Sequence, residues 1–125
     1  MKILIVLFAF FLPTVTVTPN LAPVTKAISD GDAAGLSVYF DDSIDLTIID
    51  KQSVVDKSQA TAILREFFSK NTAKSFNTVH QGTSKGANSH YTIGGLSTSN
   101  GNFRVFLLYK SIGEKPIIQE IRIEK

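Results

Sequence analysis

Apolar residues along this chain follow three kinds of spacing, and each kind keeps to its own stretch. Residues 3 to 12 (ILIVLFAFFL) are apolar without interruption. Val24, Ala27 and Ile28, and then Leu36, Tyr39 and Phe40, stand three and four apart, the spacing of a helical face. Asp30-Gly31-Asp32 lies between the two sets. The pattern therefore predicts two short helices, the first ended by Gly31 and the second capped by Asp32. Ile44, Leu46 and Ile48 alternate with polar neighbours, which predicts a strand turning at Asp50-Lys51 toward Val54-Val55.

The longest helical stripe runs from Ser58 to Asn71 and carries Ala60, Ile63, Leu64, Phe67 and Phe68. Asp56 with Gln59 fits a capping box at its start, and Glu66 with Lys70 makes an i, i+4 pair on its wet side. Beyond it the period changes to two. Strands are predicted at Ser75 to Thr83, Ser89 to Thr98, Asn102 to Ser111 and Lys115 to Glu124. Lys85-Gly86, Asn100-Gly101 and Gly113-Glu114 stand between them as hairpin turns. The predicted fold class is α+β, with N-terminal helices packed on a curved, mostly antiparallel sheet. Gly94-Gly95 in mid-strand is expected to mark the bulge that curls it.

Two-residue turns fix a register. They set His80 across from Tyr91 and Phe106 across from Ile121. Phe76, Thr78, His80, Tyr91, Arg104, Phe106, Gln119 and Ile121 then share one face, which the helices are expected to cover. The opposite face, with Val105, Leu107, Tyr109, Glu120 and Arg122, is apolar at its centre and charged at its edge. It reads as a homodimer interface.

The uninterrupted run at the start follows Lys2 and ends at Pro13, the form of a signal peptide. Ten helical residues span about 15 Å, half of a hydrocarbon core of roughly 30 Å, so no stable membrane span is expected after processing. Residues 1–22 are assigned to the signal peptide, with the mature start between Thr14 and Pro23, and residues 23–125 to one domain. The product is expected in the periplasm or outside the cell. With no cysteine in the chain, lipoprotein anchoring, disulfides and thiolate chemistry are excluded.

The length of 125 residues suits a single domain. Net charge is +2, unevenly distributed: seven acids oppose Lys26 and Lys51 between Val24 and Asp56, and ten bases oppose four acids from Lys57 onward. No basic run is interleaved with aromatics, so a nucleic-acid partner is not expected. The two histidines fall on opposite faces and supply no three-ligand metal site, and no cofactor is expected.

Candidate chemistry centres on His80. With Tyr91, Thr78 and Gln119 it would form a polar cluster on an apolar concave face, and a histidine of reference pKa about 6.5 can act as acid or base. The same placement suits a buried histidine that merely bonds a tyrosine. Arg104 could clamp a carboxylate at the mouth of such a pocket, and Tyr39 on the helical stripe completes the candidate lining.

Several short motifs carry a family likeness: Ile28-x-x-Gly31-Asp32, Tyr39-Phe40, Gln59-Ala60, Phe67-Phe68, His80-x-Gly82-x-Ser84, Tyr91-x-Ile93-Gly94, Phe103-Arg104-Val105 and Arg122-Ile123-Glu124. In this order they resemble the nuclear transport factor 2-like superfamily of ketosteroid isomerases, scytalone dehydratases and SnoaL-like polyketide cyclases. Within it, the chain is most similar to an exported bacterial family known only as a domain of unknown function. The resemblance implies a cone-shaped fold with a cavity between helix and concave sheet. The superfamily's catalytic motifs do not match here residue by residue, so no catalytic role transfers. The expectation is an exported, non-enzymatic domain with a small apolar ligand pocket in that cavity. The alternatives are an isomerase, dehydratase or cyclase using His80 and Tyr91, and a protein-interaction or dimerisation module.

Overall fold

The computed structural model describes residues 19–83 and 88–125. The apolar N-terminal run and the Lys85-Gly86 turn lie outside the described residues. Two short helices, α1 (Ala22–Asp30) and α2 (Ala33–Ser37), open the fold. The Gly31 N–H bonds the Ile28 carbonyl, and the Asp32 carboxylate accepts the Gly35 N–H at 2.9 Å, so the Gly-Asp break separates the helices as the pattern predicts. A hairpin of β1 (Phe40–Ile48) and β2 (Lys51–Asp56) runs directly into α3 (Lys57–Lys70). Asp56 and Gln59 close the full capping box at that junction, and Glu66 meets Lys70 at 3.0 Å.

The last four strands are β3 (Ala73–Thr83), β4 (His90–Thr98), β5 (Gly101–Ile112) and β6 (Lys115–Glu124). They form an antiparallel meander, and β1 joins its end by pairing parallel to β6. The strand order is β2-β1-β6-β5-β4-β3. The domain reaches back to a buried Pro19, and the Asn20 N–H donates to the Glu114 carbonyl at 3.0 Å.

The helices cover the face that the alternation pattern assigned to a dimer. Val24, Ile28, Leu36, Leu64 and Phe67 pack on Leu96, Phe103, Val105, Leu107, Ile118 and Ile121, all buried. Val105, Leu107 and Tyr109 are thus core, and no interface can form through them. Two single-residue bulges account for the inversion. In the β5–β6 ladder Leu108 pairs with Glu120 and Tyr109 with Ile118, which leaves Gln119 as an extra residue. An extra residue exchanges the faces of everything beyond it. Ile121 and Ile123 therefore join Leu107 and Val105, while Glu120 and Arg122 join Leu108 and Phe106 on the other side. The inner rows are freed of charge, and the charged side chains collect outside; burying each would have cost several kcal/mol.

The second bulge lies on β3. Thr78 pairs with Gly94 but His80 pairs with Ile93, so Val79 is the extra residue. Pairing of β4 with β5 runs unbroken through Gly94 and Gly95, contrary to the expected bulge there. Gly94 is needed for another reason: a side chain at that position would collide with the Phe76 ring and the Asn77 carbonyl. The β4–β5 turn is Ser99-Asn100, with Thr98 paired to Gly101, two positions from the expected register and so without change of face. Asn100 is drawn into that turn by its side-chain amide, which donates to the Lys70 carbonyl at the end of α3 at 2.6 Å.

One polar pair is sealed in the core. Thr92 is fully buried, and its hydroxyl lies 3.0 Å from the Tyr109 hydroxyl. Burial pushes the Tyr109 phenol above its usual value, outweighing the opposing effect of the Thr92 bond. The folded chain therefore holds this proton more tightly than the unfolded chain. The resulting stability is intact below about pH 10 and declines as pH rises from there through the folded value. Tyr109→Phe strands the Thr92 hydroxyl, and urea unfolding near neutral pH should show a loss of about 1–3 kcal/mol. The same variant should decline less steeply than the parent above about pH 10, because the titrating group is gone.

Candidate functional site

With the helices on the inner face, no element among the described residues covers the outer face of β3 to β6. A ladder of side chains crosses it. His80 Nε2 lies 3.0 Å from the Tyr91 hydroxyl, with ring centroids 5.6 Å apart. The Tyr91 and Phe106 rings run nearly parallel, 17° between planes and 6.4 Å between centroids. The Arg122 guanidinium stands 5.2 Å over the Phe106 ring and donates to Glu120 at 2.7 Å. Gly82 makes the first contact possible: the Tyr91 ring lies across it, in the space a side chain would need. Beside the ladder is a shallow hollow of about 620 Å³ lined by Val79, His80, Ile93, Gly95 and Arg104 among others. It stays open because Gly95 puts nothing into it.

The six predicted site residues do not converge on one pocket. His80 and Tyr91 do meet, but diagonally, since His80 pairs with Ile93 across the ladder. They sit on the open face and not under the helices. Arg104 shares that face and lines the hollow with His80. Thr78 lies on the helix side of the Val79 bulge. Gln119, the bulge residue of β6, faces the Asp41 carboxylate, which also meets Lys110 at 3.5 Å. The Asp42 backbone N–H, then Lys110 and Gln119, hold the Asp41 carboxyl below its usual range against the opposing effect of burial. Tyr39 follows α2, half-buried against the core, with the Lys115 ammonium 5.8 Å from its ring centroid. Of the residues assigned to the dimer face, Glu120 and Arg122 are on the outer face with the ladder.

Aromatic rings pack between the helices and the concave sheet, where a ligand cavity is expected. Phe67 packs edge-on against Phe68 and Phe103, with centroids 5.5 and 5.2 Å away. An open cleft of about 530 Å³ remains at the margin of the domain, between α3 and the β1–β2 turn. Leu46, Ile48, Ile63 and Phe67 give it apolar walls, and Ile49, Lys51 and Lys70 stand among its other lining residues. Ile49 occupies the left-handed region at φ 57, which costs a β-branched residue about 1–2 kcal/mol. Its N–H donates to the Ile123 carbonyl at 2.7 Å, a bond that asks nothing of its side chain. Alternation of polar and apolar positions carries no sign of this strain. Among the described residues, no three potential metal ligands cluster, and no helix is long and apolar enough to cross a membrane.

A family model described as a domain of unknown function (DUF4783) matches residues 21–124. A DUF4783 family protein from Bacteroides ovatus is 41% identical, with 83% of this chain and 93% of that one aligned at a TM-score of 0.76. One from Bacteroides uniformis is 38% identical over 85% and 97% of the two chains, also at 0.76. A polyketide cyclase candidate from Sinorhizobium meliloti shares the fold at a TM-score of 0.59, with 9% identity over 80% and 88%. No curated protein matches the sequence. This chain belongs to the DUF4783 family and has the nuclear transport factor 2-like fold.

Proposed function

We propose that the chain is an exported, non-catalytic binding domain whose working surface is the open face of the sheet, and that two copies meet there. The observation that carries this reading is the ladder and its surroundings. Tyr91, Ile93, Phe106, Leu108 and Ile117 are half-buried on a face that no described element covers, and Val79 beside them is 76% exposed. Apolar and aromatic side chains at the centre with Arg104, Arg122 and Glu120 around them match the composition of a protein interface. Two-fold rotation would stack each ladder on its copy.

Placement of His80 and Tyr91 supports binding over chemistry. An acid–base pair gains most from a water-excluded site, and this pair stands on the surface. His80→Ala should lower stability by no more than about 1 kcal/mol in chemical denaturation, since an exposed hydrogen bond is exchanged for one to water. A loss well above that would mean the histidine is structural.

Light scattering of the processed chain should show a dimer. Phe106→Glu should give a folded monomer: Arg122 is placed to pair with the new carboxylate in the free chain, whereas the apposed ladders would have to desolvate it. Leu107→Glu, one residue away on the buried face, should abolish folding because the charge enters the core without a partner. A parent protein that stays monomeric at high concentration overturns the dimer.

Export is supported by Lys2 and the apolar run that follows it. The ties of Asn20 to Glu114 and to the start of α1, where its side chain accepts the Ala22 N–H at 3.1 Å, favour cleavage before Pro19. N-terminal sequencing of the protein from its native host should therefore begin between Thr14 and Pro19, in a fraction outside the cytoplasm. Intact Met1 on a cytoplasmic product would refute export.

A further inference from the structure

We infer that the hollow over Gly95 on the open sheet face binds a small aromatic carboxylate, its ring flat on the β4 backbone and its carboxylate on Arg104. This site rests on the reading of that face as a binding surface and does not need two copies to meet there. Gly94 and Gly95 stand side by side in β4 for different reasons. The missing side chain of Gly94 points inward, where the Phe76 ring takes its space. That of Gly95 points outward, and a β-carbon there would meet no atom within 4 Å. Gly95 has no positive φ, so its backbone would carry a side chain without strain. A glycine in mid-strand weakens a sheet, and the free domain gains nothing from this one. It suits a position where another group approaches the backbone closely. The bare peptide groups make a flat floor between Val79 and Ile93, and the hollow above them holds about 620 Å³.

Arg104 supplies the charge. It is the partner of Gly95 across the β4–β5 ladder, it is exposed, and it lines the same hollow. Glu124, opposite it on β6, lies 3.9 Å from the Arg122 Nε, and Arg122 also donates to Glu120 at 2.7 Å. Both acids are thus engaged by Arg122, and among the described residues Arg104 has no ion pair or side-chain hydrogen bond. Its guanidinium offers a two-pronged N–H fork that matches a carboxylate. Asn102 adds a neutral amide donor to the lining. His80 stands on the other side, held by its contact with the Tyr91 hydroxyl at 3.0 Å. A ring alone would leave the arginine unmatched, and a small anion alone would leave the apolar floor and walls bare.

Amide and methyl NMR of the processed chain, titrated with 2-naphthoate, tests the site. Naphthoate should give saturable shifts at Val79, Ile93 and Gly95. 2-Naphthamide, which lacks the charge, and 2-naphthylmethylammonium, which reverses it, should each bind more weakly by about tenfold or more, the scale of a charge-assisted hydrogen-bond pair. Acetate, which lacks the ring, should give no saturable shift. Arg104→Gln should abolish the preference for naphthoate over naphthamide with the melting temperature unchanged. Gly95→Val should abolish the shifts at Val79 and Ile93 while the melting temperature holds or rises, since a β-branched side chain suits a strand and meets nothing there. The site is refuted by the absence of saturable shifts, or by the amide, the ammonium or acetate binding as well as naphthoate. Shifts centred on Ile48 and Ile63 in the cleft beside α3, an intact preference in Arg104→Gln, or a lowered melting temperature in Gly95→Val would refute it equally. A dimer in light scattering that does not bind naphthoate removes this site and leaves the dimer standing, and a monomer that binds it does the reverse.

Discussion

One set of helices can dry only one face of a sheet, and every other feature of this domain follows from which face that is. Three helices present a single apolar surface, built on Val24, Ile28, Leu36, Leu64 and Phe67. Opposite it the sheet must offer rows with no unpaired polar group. Straight pairing would mix Ile121 and Ile123 with Arg104 and put Glu120 and Arg122 beside Val105 and Leu107. The extra residue at Gln119 separates these sets, and the extra residue at Val79 turns Phe76 inward while His80 turns outward. After both shifts, the inner face holds the Thr92–Tyr109 pair, mutually bonded, amid apolar rows. Each bulge forfeits ladder bonds locally but spares the core a buried charge, which is the larger cost.

The same sorting creates the outer surface. Arg104, Glu120 and Arg122 arrive on one side of the sheet together with Tyr91, Phe106 and Leu108, which are too apolar to be an ordinary wet face. Arginine over phenylalanine and histidine against tyrosine lock these groups to one another, so the surface is preorganised and would lose little side-chain freedom on contact. In the interior Phe67 packs edge-on against Phe68 and Phe103, and among the described residues open volume lies in the cleft beside α3 and in the hollow beside His80.

Local structure was legible in the sequence wherever a few neighbouring residues decide it. The Gly31-Asp32 break, the Asp56–Gln59 cap, the Glu66–Lys70 pair and the Gly113-Glu114 turn all depend on contacts within four residues. Faces of the sheet were not legible, because period-two alternation continues unchanged through a bulge and only the partner strand reveals the skipped position. His80 and Tyr91 were nonetheless expected together, since pairing between the Val79 bulge and the turn slips by two positions, which leaves them on one face within reach. Thr78 and Gln119 fell away from them, one on the far side of a bulge and the other being the bulge itself. Asn100 misled for a different reason: its tie to the Lys70 carbonyl is a tertiary contact 30 positions away along the chain.

Three departures from local rules lie at the two open surfaces. Ile49 holds a glycine-like conformation beside the cleft, Gly82 yields its space to the Tyr91 ring, and Gly95 leaves the hollow next to His80 empty. None of the three improves burial inside the domain. An isolated domain selected only for stability would relieve the first and fill the last, each by a single substitution. Any chemistry at His80 would need a second body over the open face to exclude water, so binding precedes every other role this face could have.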